Sequence, residues 1–88
     1  METILKLQKT IADFTDINYH TNSVIELATF LNDTEALDKL NRIKTEHKRI
    51  GHLPYELSIE RSEILNDLLN KLKAKYGEEV YKTIYSAF

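Results

Sequence analysis

The sequence predicts an all-α protein, a compact antiparallel bundle of four to five short helices forming one domain over residues 1–88. Three observations carry this expectation. Only Gly51, Gly77 and Pro54 punctuate the chain, so few positions force a helix to break. Leucine and isoleucine dominate the apolar set, with valine only at Val24 and Val80, a mix that leans towards helix. Above all, apolar residues recur at steps of three and four, the spacing that lines one face of a helix.

Ile4, Leu7, Ile11 and Phe14 mark a first helix over 2–14, with Leu5 and Ala12 widening its stripe. The polar stretch from Thr15 to Asn22 is ambiguous, and the helix can extend through Ile17. Ser23 followed by Glu26 fits a capping box that opens a second stripe, Val24, Leu27, Ala28 and Leu31. Asn32, Asp33 and Thr34 favour caps and turns, and Asn32 with Glu35 fits a second capping box. The third stripe is Leu37, Leu40, Ile43, His47 and Ile50, closed by Gly51 in a left-handed conformation, with Pro54 barring its resumption. Lys48 and Arg49 suit the negative end of its dipole. A fourth helix starting near Leu57 or Ser58 carries Ile64, Leu65, Leu68, Leu69, Leu72 and Tyr76 and ends at Gly77. Glu78 and Glu79 then begin a short last helix bearing Val80, Tyr81, Ile84, Tyr85 and Phe88.

Composition excludes several functions. With no cysteine, disulfides, thiolate nucleophiles and cysteine-ligated zinc drop out. Apolar residues never run beyond two in succession, far short of the roughly 20 of a membrane helix or the roughly 7–15 of a signal-peptide core. A cytoplasmic location is the resulting expectation. No glycine loop cradles phosphate, and no serine sits in a nucleophile elbow. The carboxylate pairs Glu60/Glu63 and Glu78/Glu79 read as solvated faces. His47 and His52 lie five apart across a helix end, the wrong spacing for a zinc face, and His47 reads as a partly buried structural residue. No cofactor, no metal and no enzymatic activity are expected.

Charge is unevenly distributed. Residues 1–38 carry a net −5, 39–52 a net +4, 53–70 a net −3 and 71–76 a net +3, within an overall −2. Lys39, Arg42, Lys48 and Arg49 make the third helix the most basic element and a candidate contact for phosphate or an acidic protein surface. An ordinary solvated face explains the same charges. Residues 26–32 match the first helix and turn of a helix-turn-helix, but Asp33 and Asp38 stand where its second helix needs apolar anchors.

A second candidate surface is aromatic. Tyr81, Tyr85 and Phe88 share one face of the last helix, as core residues or as an interface, since tyrosine is enriched at interface hot spots. A homodimer could cover them. Leu53 and Tyr55, in the connection before the fourth helix, are expected to cover the core, although a loop carrying them also suits a contact point.

In length and all-helical character, and in the runs Phe30-Leu31-Asn32, Leu57-Ser58 and Glu79-Val80-Tyr81, the chain resembles the small anti-sigma proteins of T-even phages; the likeness needs several gaps. Bacteriocin immunity proteins of lactic acid bacteria are similar in size and helical architecture, although their distinctive residues are missing here. Both resemblances imply stoichiometric binding of another protein. The functional expectation is a small non-enzymatic inhibitor or regulator, bacterial or phage-derived, that occupies a surface on a larger protein. The alternatives are a nucleic-acid-binding module using helix 39–52 and a bacteriocin-immunity-like protein.

Overall fold

A computed structural model describes residues 2–14 and 20–88. It contains α1 (Glu2–Asp13), α2 (His20–Phe30), α3 (Thr34–Ile50), α4 (Tyr55–Tyr76) and α5 (Glu78–Tyr85), with no strand among the described residues. The all-α bundle expected from periodicity is the observed fold. The extension of α1 through Ile17 falls outside the described residues.

Local chemistry places the junctions, not always where capping patterns suggested. Ser23 is no cap: α2 begins at His20, and Ser23 is fully buried, its hydroxyl donating to the Ile11 carbonyl at 3.1 Å. A small side chain here lets α2 lie close to the end of α1, and the hydroxyl is satisfied by one of the carbonyls a helix end leaves available. Asn32 is no N-cap either. It takes φ 56°, its amide bonds the Thr29 carbonyl, and the Asp33 amide bonds the Ala28 carbonyl. That pattern is a Schellman closure of α2, with asparagine in the left-handed position. The cap of α3 is Asp33, whose Oδ1 accepts the Ala36 amide at 3.1 Å.

Gly51 closes α3 as expected, at φ 94° with its amide on the His47 carbonyl. Pro54 does not delay the next helix. α4 starts at Tyr55, two residues before Leu57, and the Pro54 carbonyl accepts the Ser58 amide. A helix start is where proline's missing N–H sacrifices nothing.

Long-range contacts fix the directions of the helices. Asp33 pairs with Lys71 and Arg42 with Glu60, so α3 and α4 are antiparallel. Arg61 reaches Thr21 and Tyr76 stacks near Phe30, so α2 and α4 run the same way. Gln8 on α1 donates to the Thr83 carbonyl of α5 at 3.3 Å. All five helices contribute to one core that includes Ile4, Ile11, Val24, Leu27, Leu40, Ile43, Leu68, Leu72 and Ile84. Among the described residues α1 lies against α2 and α5 alone, so its covered stripe is narrow. Leu5 and Ala12, expected to widen it, are exposed.

Two helices are longer than the core needs. At 1.5 Å per residue α4 spans about 33 Å and α3 about 25 Å, whereas α1, α2 and α5 span about 12–18 Å. The molecule measures 38 × 23 × 18 Å. Ile43 is the last buried residue of α3 and Ile64 the first of α4. Residues 44–63, an entire hairpin end, contain no buried side chain. Of the apolar side chains in this stretch, only Leu53 and Leu57 pack in part against the core.

Candidate interaction surface

The end of the α3–α4 hairpin concentrates exposed apolar side chains. Tyr55 is 76% exposed, Ile59 42% and Ile50 39%. Tyr55 and Ile59 lie four residues apart on α4 and so stand on one face, one turn above the other. Ile50 is the last residue of α3, across the short connection. Ile50 was expected in the core as the end of the α3 stripe, and Tyr55 as a core cover. Both are exposed, past Ile43, the last buried residue of α3, and ahead of Ile64, the first of α4. Of the connection, only Leu53 performs the expected covering role.

The basic residues of α3 are largely compensated. Lys39 pairs with Glu35 at 3.4 Å, Arg42 with Glu60, and Arg49 with Glu46 at 2.6 Å. The Arg49 guanidinium holds the Glu46 carboxyl below its ordinary range. Of the four basic residues singled out in the sequence, Lys48 has no carboxylate partner among the described residues, and Lys44, one turn earlier, also has none. On the α4 side, Glu56 and Glu63 are exposed and meet no cation among the described residues. At the hairpin end, then, Lys44 and Lys48 of α3 and Glu56 and Glu63 of α4 carry exposed charge without an ion pair among the described residues, while half-buried Arg61 of α4 meets only the Thr21 hydroxyl.

The structure does not unite Tyr81, Tyr85 and Phe88 into one open face. Tyr81 is half-buried, its ring 5.7 Å from that of Tyr85 and 5.2 Å from the Lys73 ammonium. Phe88, beyond the end of α5, sets its ring at 80° to His20, 5.9 Å away. Tyr85 is 57% exposed and with Phe88 borders a shallow groove against Leu65 and Leu69. This cluster closes the bundle against α2 and α4 and leaves one tyrosine at the rim.

Two polar junctions lie elsewhere. At the start of α2, half-buried Arg61 donates to the Thr21 hydroxyl at 3.0 Å. Burial and, secondarily, the Arg61 charge lower the pKa of His20. At the foot of the hairpin, Lys71 grips the outer oxygen of Asp33. That bond and the Ala36 amide hold the Asp33 carboxyl below the usual carboxylate range, against a smaller opposing effect of burial. Among the described residues no group of three or more His, Asp or Glu is arranged to hold a metal ion. No described helix is long and apolar enough to cross a membrane.

The sequence analysis missed Ile59 as a surface residue and set Tyr55 as a contact point second to its covering the core. The signal was present in the phase: stepping back from Leu72, Leu68 and Ile64 by turns leads to Glu60 and Leu57, leaving Ile59 and Tyr55 off the stripe. No family model, curated protein or solved structure matches the chain.

Proposed function

We propose that this chain is a small non-enzymatic binding protein that inhibits or regulates a larger protein by occupying its surface, with the α3–α4 hairpin end as the contact. One observation carries the reading: Ile50, Tyr55 and Ile59 are exposed on regular helix within a stretch of twenty residues, 44–63, that holds no fully buried side chain. Exposed single apolar residues are ordinary. Three large ones gathered at one projecting end, one of them a tyrosine, form the kind of anchor that interfaces use. The adjoining Lys48, which meets no carboxylate among the described residues, supplies a charge able to orient an encounter.

Affinity capture from a bacterial host lysate tests the reading, with the wild type compared against a Tyr55→Ala/Ile59→Ala variant whose helicity is verified. Proteins held by the wild type and lost by the variant support it. Equal retention by both, or capture of nothing above background, overturns it. Retention of DNA or RNA that falls steeply with salt would instead assign the basic helix to nucleic acid.

A further inference from the structure

We infer that the groove between α4 and the end of α5 is a binding site for a small carboxylate with an apolar body, such as an aryl-alkanoate, whose charged end is held by Arg61 and His20. The inference is independent of the contact proposed at the hairpin end and goes beyond it.

Shape is the first argument. The groove has a volume of about 330 Å³, at the small end of the roughly 300–1,000 Å³ range of small-molecule sites. Leu65, Leu69, Tyr85 and Phe88 give it apolar walls, and His20 stands among its few polar members. Ser62 and Leu69, which mark its extent on α4, lie seven residues apart, or about 10 Å along the helix. That length takes one short apolar body, whereas a protein interface draws on roughly 20–30 residues a side.

Unused hydrogen-bonding capacity is the second argument. Half-buried Arg61 donates through Nη1 to the Thr21 hydroxyl at 3.0 Å. Its other edge, formed by Nε and Nη2, meets no acceptor among the described residues. Burial disfavours its charged form, and no carboxylate opposes that cost, the condition of a guanidinium that has lost water without gaining an anion. His20 is next to Thr21, half-buried, its ring 5.9 Å from that of Phe88. Neither ring nitrogen has a hydrogen bond among the described residues. The Arg61 charge acts on His20, so the two groups share one corner. Arg61 also adjoins Ser62 and stands one turn before Leu65 on α4, both of which line the groove.

No Asp or Glu lines the groove, so its polar end calls for an anion. A carboxylate matches the free edge of the guanidinium as a two-oxygen fork, and it accepts a second bond from a neutral imidazole N–H. A cationic ligand would meet the sign of Arg61, and a neutral one would leave that charge unpaired.

Titration of the isotope-labelled chain with 3-phenylpropionate near neutral pH, followed by NMR, gives the test. Saturable shifts centred on His20, Leu65, Leu69 and Phe88 are expected, with a Kd of about 1 mM or tighter. The uncharged 3-phenylpropanol should bind at least about tenfold more weakly, and 3-phenylpropylamine more weakly still. Arg61→Met keeps an unbranched stem and removes the charge, so it should weaken the carboxylate at least about tenfold and leave the alcohol unchanged. Tyr85→Ala, at an exposed wall, should weaken both ligands. No saturation by about 10 mM, shifts centred away from the groove, or equal binding of the acid and the alcohol overturns the inference. The three-ligand comparison is made on the wild type, so it decides the matter even if Arg61→Met does not fold.

Discussion

Asp33 and Lys71 join the beginning of α3 to the lower part of α4, and the same carboxylate caps α3 through the Ala36 amide. One side chain thereby starts a helix and fixes its neighbour's position. The Asp33 side chain is only 13% exposed, so it is better shielded from water than most surface ion pairs, whose contribution is usually within about 1 kcal/mol.

Asp33→Asn and Asp33→Ala should separate these two roles. Asparagine caps about as well as aspartate, and alanine does not. Asp33→Asn is expected to lose only the attraction to Lys71, under about 1 kcal/mol, and Asp33→Ala about 1 kcal/mol more, read by urea denaturation. The folded pKa of Asp33 is lowered, so its contribution is present above the unfolded value near 4 and is lost as pH falls through the lower folded value. The gap between wild type and Asp33→Asn should close in that acidic window.

His20 predicts a slope at milder pH. Its folded pKa lies below the ordinary value, so on acidification the unfolded chain takes up the proton first. Stability should fall as pH drops below about 6.5, and His20→Gln should remove part of that slope. A wild type and variant with superimposable pH profiles between 7 and 5 would refute the assignment.

Ser23→Ala removes the hydroxyl that ties α2 to the Ile11 carbonyl. The expected loss is about 1 kcal/mol, small because that carbonyl also accepts the Phe14 amide. Ser23→Leu should be worse, forcing α1 and α2 apart where no space exists. Thermal melts of the two variants check the order.

Core and hairpin end should respond differently. Leu40→Ala or Leu72→Ala, both at fully buried sites, should each lose about 2–5 kcal/mol. Ile59→Ala should stay within about 0.5 kcal/mol. Native-state hydrogen exchange should likewise show amides near Thr45 and Ile59 opening at lower free energy than those near Leu40 and Leu68.

Periodicity revealed the helices because a buried face needs apolar residues once per turn, and Ile4, Leu40, Ile64 and Leu72 follow that rule. It failed where a residue type has two uses. Serine caps helices and also allows close helix approach, so Ser23 looked like a start and is a core contact. Asparagine suits both sides of a turn, and Asn32 ends α2 instead of opening α3. Proline both stops and starts helices, which hid the first turn of α4. The basic character of α3 was legible, but its neutralisation by Glu35, Glu46 and Glu60 was only partly so. The first two are neighbours in sequence, while Glu60 meets Arg42 only through the tertiary register. Ile59 was hidden, and Tyr55 read first as a core cover, because apolar residues beside a core stripe read as core until helix lengths are compared in space.

Apart from Leu53, Leu57 and the half-buried Arg61 on Thr21, the stretch from Lys44 to Glu63 adds little to the interior shared by the remainder of the molecule. Selection for recognition and selection for folding therefore fall on different parts of the chain. Residues at this end can drift, or be rewritten by design towards a new target, while Leu40, Ile43, Leu68 and Leu72 keep the scaffold intact.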